Sequence, residues 1–201
     1  ERGSHEGVDD FTKKQLDTFT RVAAELEAGL EYKVIKHILN SAGIERFTDY
    51  QMDMVRLGIG LYGVSASGQK GLRNISTLKT TILQIQNVPA GDSIGYSRMS
   101  YVKRDSRIAI IPIGYADGLD RHFSNGGGEV VINGHRCPII GNICMDACMI
   151  DVTDTDAHEG DSVIIFGEEL PVSELSDKLK TIPYEILTSI SPRVKRVYYR
   201  E

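Results

Sequence analysis

Arg56 is the one charged residue in an otherwise apolar run, residues 54–62. A guanidinium in such a run is costly unless it is paired. Three placements are open to it: a buried ion pair, a strand end emerging into solvent, or a ligand-facing position at the carboxyl end of a barrel strand, where such folds build their sites. Gly58 and Gly60 flank Ile59 directly afterwards, and glycine there lets a ligand approach the backbone. Asn40-Ser41-Ala42-Gly43 is a polar turn able to offer N–H and O–H groups to an anion. Ordinary connecting turns have the same composition. Tyr96 and Tyr115 lie in glycine-containing segments. Such a tyrosine either packs at a core edge or projects into a cleft, where it can transfer a proton if its pKa of ~10 is lowered. Asp117 and Asp120 suit turn hydrogen bonds. Gly141-Asn-Ile-Cys-Met-Asp146 brackets Ile-Cys-Met with polar residues between two apolar strands. Cys144 within it has no suggestively spaced histidine and reads as an inert thiol rather than a nucleophile. Tyr184 and Glu185 follow Pro183 in an expected loop and carry no signal of their own.

The elements that must position these residues change character along the chain. Residues 1–10 read as a frayed start or loop. A helix follows, entered at Phe11-Thr12, with Leu16, Phe19, Val22, Ala23 and Leu26 at helical spacing. Thr12 and Gln15 fit a capping box, and Gly29 a C-cap. Residues 32–39 and 54–62 read as strands, the second buried on both faces as in a parallel sheet, with a short helical stretch at 48–52. Residues 63–74, rich in Gly, Ser and Lys, read as a linker. Beyond them come many short strands: 78–88, 107–113, 129–132, 137–140, 148–152, 162–166 and 194–199, with one helix at 172–179. Asn133-Gly134 is the strongest hairpin signal. The expected organisation is an incomplete α/β part of a (β/α)8 barrel over residues 1–73, and a β-barrel or sandwich over 74–201. A full (β/α) barrel needs ~250 residues, so the chain reads as the carboxy-terminal part of a larger protein.

Composition narrows the function classes. The 201 residues carry 23 Lys plus Arg against 28 Asp plus Glu, a net charge of −5. That balance suits a soluble cytoplasmic protein and argues against nucleic acid as the main partner. The basic run Arg193-Val-Lys-Arg196 is interrupted by valine and reads as a half-solvated strand face. No apolar stretch approaches ~18 residues, so no membrane partner is expected, and the polar N-terminus gives secretion no support. Cys137, Cys144 and Cys148 cannot all pair in one chain and do not follow zinc-ligand spacing. Free thiols and no metal site are expected.

Taken together, the motifs are more specific than any one of them. Met54-Val-Arg-Leu-Gly-Ile-Gly-Leu-Tyr-Gly63, residues 37–47 around Asn40-Ser41-Ala42-Gly43, Ile111-Pro-Ile-Gly-Tyr-Ala-Asp-Gly118, Gly141-Asn-Ile-Cys-Met-Asp146, Tyr184-Glu185 and Ser189-Ile-Ser-Pro-Arg193 occur in one order. The set resembles the fold-type III, pyridoxal-phosphate-dependent alanine racemases over nearly the whole chain. The resemblance implies a mainly β chain: an alanine-racemase-like β-barrel domain, preceded by an α/β remnant of a (β/α)8 barrel. It implies pyridoxal 5'-phosphate as cofactor in the intact parent. Ser41, Asn40, the backbone of Gly58 and Ile59, and Tyr184 would hold its phosphate. Arg56 would face its ring nitrogen and keep it unprotonated, because a guanidinium does not readily give up a proton. Tyr96 would be the catalytic base on one face of the α-carbon of alanine, acting in the partner subunit's site of a head-to-tail homodimer. Met145 would bind the substrate carboxylate through its N–H, Asp146 would support that loop, and Tyr115 would line the substrate's way in from the partner. The family's cofactor lysine has no counterpart among Lys13, Lys14, Lys33 and Lys36, so the fragment alone is expected to be inactive. His5 is a possible counterpart of a cofactor-stacking histidine. Fusion of the parent to a cell-wall peptide ligase is left open. So are a serine or broad-specificity racemase and a non-catalytic β-barrel binding module; a decarboxylase of the same fold fits these motifs less well.

Overall fold

The computed structural model describes residues 5–68, 71–98 and 100–199, and only the backbone of residues 5–8 and Ser97. The chain divides into two compact units, Glu1–Arg73 and Asn74–Glu201.

The first unit opens with α1, His5–Ala28, so the helix starts before the expected entry at Phe11-Thr12. The side chain of His5 lies outside the described residues. Leu16 and Ala23, two helical turns apart, are buried, while Val22 and Leu26 on the expected apolar stripe are exposed. The Gly29 N–H donates to the Leu26 carbonyl at the helix end (3.1 Å). A short helix α2, Ser41–Arg46, a 3-10 turn at Thr48–Tyr50 and a second at Ile59–Tyr62 follow. Among the described residues this unit contains no β-strand, contrary to the strands expected at 32–39 and 54–62. The two segments do lie side by side. The Asp53 and Met54 N–H groups donate to the Lys36 carbonyl (3.2 and 3.3 Å) and the Arg56 N–H to the Leu39 carbonyl (3.0 Å). These few bonds do not make a ladder. A parallel strand is stable when covered on both faces, and here Ile35 and Leu57 are more than half exposed. The expected linker is held at its start: the Glu45 carboxylate on α2 accepts from Ser65 Oγ (2.7 Å), from the Ala66 and Ser67 N–H groups (both 3.1 Å) and from the Ser67 hydroxyl. Gln69 and Lys70 lie outside the described residues.

The second unit is a curled antiparallel sheet. Its strands are β1 (Leu78–Thr81), β2 (Gln84–Val88), β3 (Ser93–Ile94), β4 (Ser100–Tyr101), β5 (Ser106–Ile111), β6 (Glu129–Ile132), β7 (His135–Ile140), β8 (Cys148–Asp151) and β9 (Ser162–Phe166). Seven of them form one sheet in the order β1-β9-β6-β7-β8-β5-β2. The edge strands β1 and β2 are consecutive in the chain. Between them the Ile82 N–H donates to the Asp161 carbonyl (3.0 Å) and the Leu83 N–H to that of Ile110 (2.9 Å). The expected single strand 78–88 therefore switches partners at Ile82-Leu83, and the sheet curls until one stretch of chain serves both edges. Each edge strand is paired on one side only, β1 with β9 and β2 with β5. Ile82, Ile111, Val130, Ile132, Ile139, Ile150 and Val163 fill the interior, each worth about 1.5–3 kcal/mol of apolar burial. Asn133 (φ 49°) and Gly134 (φ 77°) turn the β6–β7 hairpin, the pair of left-handed residues that a two-residue type I′ turn requires.

Two helices follow, α3 at Val172–Leu179 and α4 at Pro183–Ser189. Tyr184 and Glu185 thus lie on a helix, not in the expected loop, because Pro183 occupies the first helical position, where its missing N–H costs nothing. The expected last strand at 194–199 is not formed. Instead the Arg196 guanidinium donates to the carbonyls of Ile190, Ser191 and Val194 (3.0, 3.3 and 3.2 Å), and Tyr198 and Tyr199 lie exposed. No helix among the described residues is long and apolar enough to cross a membrane.

Candidate functional site

In the first unit, the side-by-side run of residues 37–41 and 56–60 brings five of the expected residues together. Asn40 is extended, and its side chain caps α2 by accepting from the Gly43 N–H (3.0 Å). The cap fixes the direction of Ser41, the next residue, which is buried. Ser41 Oγ accepts from the Gly58 N–H (2.9 Å) and the Gly60 N–H (3.3 Å). A hydroxyl has two lone pairs and one hydrogen. Both acceptor sites are used here, and the hydrogen is left to donate. The N–H of Ile59 finds no acceptor among the described residues. The result is a small set of uncommitted donors suited to an anion.

Arg56 is exposed, so the buried ion pair offered for it is not formed. Its guanidinium donates to His37 Nδ1 (2.8 Å) and to the Ile38 carbonyl (3.1 Å). No carboxylate pairs with it among the described residues. A guanidinium has only hydrogens to offer, so His37 Nδ1 is the acceptor and the ring is neutral, with its hydrogen on Nε2. Arg56 is thereby aimed while its charge stays uncompensated. A groove of about 280 Å³ lies alongside, lined by Asn40, Gly43, Arg46 and Arg56 with Thr12 and Gln15 of α1. His37 was not singled out as a site residue by sequence. Its pairing across 19 residues carries no local signal.

In the second unit, Tyr115 opens a 3-10 turn, Tyr115–Asp117, laid against the loop that carries Met145. The Tyr115 N–H donates to the Cys144 carbonyl (3.0 Å) and the Ala116 N–H to that of Met145 (3.1 Å). Gly114 permits the approach: a Cβ there would stand 2.2 Å from the Cys144 oxygen and 2.4 Å from that of Met145. The Met145 N–H itself has no acceptor among the described residues. Asp146 and Asp117 are joined by Arg193, whose Nη2 and Nε donate to one oxygen of each (2.6 and 2.7 Å). Burial alone would raise the Asp117 carboxyl, but Arg193 and the Gly114 N–H outweigh it and hold it below the ordinary carboxylate range.

Tyr96 stands on the β3–β4 hairpin in a 3-10 turn, with 74% of its surface exposed. Ile94 and Val102, on either side, anchor the hairpin on Ile108 of β5. A hydrogen-bonded relay ties the same hairpin to the Met145 loop: Ser100 Oγ to Asn125 (2.5 Å), and Asn125 Nδ2 to Asn142 Oδ1 (3.0 Å). The Tyr96 hydroxyl has no partner among the described residues. Tyr184, on α4, is partly exposed and makes no side-chain bond to Tyr115 or Met145. A cleft of about 640 Å³ separates Tyr115 from α4, lined by Arg121, His122, Lys178 and Glu185 among others. Cys144 is only half-buried, and no histidine bonds to it. Burial pushes the thiols of Cys137 and Cys148 up to about 11 and about 12, which removes them as nucleophiles.

A curled antiparallel barrel of this strand order, preceded by helices carrying a serine–arginine cluster, defines a two-domain architecture that comparisons with known proteins identify. Residues 75–198 match the family "Alanine racemase, C-terminal domain". Residues 3–66 match "Alanine racemase, N-terminal domain". The chain belongs to the alanine racemase family. It is 42% identical over 199 residues to alanine racemase 1 of Caldanaerobacter subterraneus subsp. tengcongensis, covering 94% of this chain and 51% of that protein. The structure of alanine racemase from Bartonella henselae with covalently bound pyridoxal phosphate superposes with a TM-score of 0.86 at 38% identity, covering 98% of this chain and 53% of that one. The alanine racemase from Bacillus anthracis with bound L-Ala-P gives 0.86 at 34% identity, covering 95% and 51%. The chain thus spans about half the length of the relatives it matches.

Proposed function

We propose that these residues are the carboxy-terminal portion of a pyridoxal-phosphate-dependent alanine racemase. It would be a cytoplasmic isomerase that interconverts L- and D-alanine for peptidoglycan synthesis as a head-to-tail homodimer. The observation that carries this is Arg56, aimed by neutral His37 and the Ile38 carbonyl and left without a carboxylate. A permanently charged donor held in that way suits a ring nitrogen that must stay unprotonated. The cluster fits the cofactor in its donors as well. The Ser41 hydroxyl hydrogen and the Ile59 N–H are uncommitted, and Gly58 is held beside them by Ser41. Ser41, Asn40 and Ile59 would hold the phosphate, with Gly58 steadying the Ser41 hydroxyl through its N–H and the hydroxyl of Tyr184 as a further donor. When bound, pyridoxal phosphate supplies the electron sink for the charge left when alanine loses its α-proton.

The chain's own residues then divide the remaining work. Tyr96 takes the proton from L-alanine on one face and returns it in the reverse direction, in the site of the partner subunit. Its exposed, unpartnered hydroxyl suits that use. The Met145 N–H receives the substrate carboxylate, Asp146 steadies the loop, and Tyr115 lines the way in. The lysine that bonds the cofactor lies outside these residues in this proposal. Lys36 is paired with Glu27 (2.9 Å) and Lys33 with Asp53 (3.6 Å), while Lys13 and Lys14 lie on α1. Residues 1–201 by themselves would therefore not racemise alanine.

The test is racemisation by the whole polypeptide supplied with pyridoxal phosphate, beside Tyr96→Phe. The expected result is activity in the parent, lost mainly in the L-to-D direction on substitution. Activity on serine but not alanine would move the substrate. Failure of the whole polypeptide to bind the cofactor, followed by its absorbance, would overturn the enzyme and leave a binding module.

A further inference from the structure

Arg193 has no part in the proposed chemistry, yet it is the junction of the substrate side of the second unit. Three segments meet at it. Its Nε donates to Asp117 (2.7 Å), in the turn of Tyr115, and its Nη2 to Asp146 (2.6 Å), beside Met145. Its own backbone arrives by a short turn that is pinned to the first segment, with the Ser191 N–H on the Asp117 carbonyl (3.0 Å). The other oxygen of Asp117 accepts from the Gly114 N–H (2.9 Å), so both faces of that carboxylate are committed. We infer that Arg193 is a positioning residue that locks the Tyr115 turn to the Met145 loop and so fixes the N–H that receives the substrate carboxylate. This rests on the racemase proposal.

The geometry favours positioning over plain stabilisation. The Arg193–Asp146 pair is substantially exposed on both sides and adds little to global stability, so what stability the junction carries lies with Asp117, which is mostly buried. The two carboxylates, however, carry like charge on neighbouring segments, and the planar fork is what holds them at fixed places. A lysine supplies the charge as a single point and cannot fix both. Without Arg193 the backbone bonds from Tyr115 and Ala116 to the Cys144 and Met145 carbonyls remain. The loops would stay folded, joined by those two bonds alone, which would open more often.

The experiment uses the whole enzyme with Arg193→Met and Arg193→Lys. Misplacement of a binding group by a fraction of an ångström costs about tenfold or more. KM for alanine should rise by about that factor in Arg193→Met while kcat changes by less than about threefold. Inhibition by propionate, which has alanine's carboxylate without its amino group, should weaken by the same factor. Cofactor affinity, followed by absorbance, should not change. Amide exchange at Tyr115 and Ala116 should accelerate about tenfold while amides of β6 and β8 keep their rates. Arg193→Lys should leave most of the defect. Full rescue by lysine, unchanged exchange at 115 and 116, or equal acceleration in β6 and β8 would each overturn the inference. If the parent does not turn over alanine, the racemase proposal fails separately, and the exchange result alone decides whether Arg193 locks the two segments. Should Arg193→Met fail to fold, Asp146→Asn loosens the exposed half of the junction. It must show a smaller shift in the same direction, and no shift would overturn the lock.

Discussion

Gly114→Ala separates close packing from backbone freedom as the reason for that glycine. Gly114 has φ −145° and ψ −165°, ordinary extended values that alanine adopts without strain. The cost must therefore be steric. The added Cβ would stand 2.2 Å from the Cys144 oxygen, 2.4 Å from the Met145 oxygen and 2.5 Å from the Met145 carbonyl carbon. Carbon–oxygen contacts settle near ~3.3 Å, so one backbone must retreat by about 1 Å. All three atoms are backbone, and their segment is pinned by the Cys144 N–H on the Ala147 carbonyl (2.9 Å). Such a retreat takes the Tyr115 and Ala116 hydrogen bonds, at 3.0 and 3.1 Å, out of range. Two lost bonds at about 1 kcal/mol each and an overpacking cost of about 1–3 kcal/mol give about 3–5 kcal/mol. Gly134→Ala is the control. Nothing lies within 4 Å of its Cβ and its φ is +77°, so only the left-handed penalty of about 1–2 kcal/mol applies. Urea unfolding of the whole protein, read by circular dichroism, should rank Gly114→Ala well below Gly134→Ala. A Gly114→Ala loss equal to or smaller than that of Gly134→Ala would refute the steric account.

Ser41→Ala removes the acceptor shared by the Gly58 and Gly60 N–H groups. It also removes the hydroxyl hydrogen that the racemase proposal gives to the cofactor phosphate. A hydrogen bond to a charged group is worth about 1.5–3 kcal/mol, so an absorbance titration of the whole polypeptide should show cofactor affinity weakened by about ten- to a hundredfold. Asp117 is held below its ordinary carboxylate value in the fold. A depressed folded pKa contributes stability that is present above the unfolded value of about 3.9 and is lost as pH falls through the folded one. Asp117→Asn should therefore lose less stability than the parent on acidification below about pH 4, measured by thermal unfolding across that range. Of the three cysteines, Cys144 is half-buried and the other two are buried with raised thiols. A disulfide reagent should label Cys144 in the native protein, with Cys137 and Cys148 reacting only on unfolding, as peptide mapping would show.

The β6–β7 hairpin and α3 are legible in the sequence because neighbours in the chain set them. Asn133-Gly134 alone supplies the turn, and the helix forms over the expected residues 172–179. Elements defined by distant partners are misread for a matching reason. The run 78–88 alternates as one strand would, and nothing local marks the switch at Ile82-Leu83 between β9 and β5. Residues 54–62 are apolar enough for a buried strand, but apolarity does not supply the neighbours that make one, and the chain there forms a 3-10 turn. Val194 to Tyr199 has the composition of a strand but pairs with no strand among the described residues. Tyr184 and Glu185 are expected in a loop, although the Pro183 before them opens α4.

The candidate site divides along the same line. Ser41 and Gly58 stand out because a polar turn and a glycine pair are local patterns, and Tyr96 and Tyr115 because glycine sits beside them. The groups that hold such residues in place are single side chains whose partners lie far along the chain: His37 on Arg56, Asn125 between Ser100 and Asn142, and Arg193 on Asp117 and Asp146. A histidine, an asparagine or an arginine at a lone position has no periodicity to betray it. Its importance comes from the fork or ring geometry at the far end of the bond, which exists only after folding. Chemistry-bearing residues can therefore be nominated from one sequence, whereas the residues that aim them need the fold. Substituting the aiming residues should change KM, exchange rates and pH behaviour before it changes the chemical step itself.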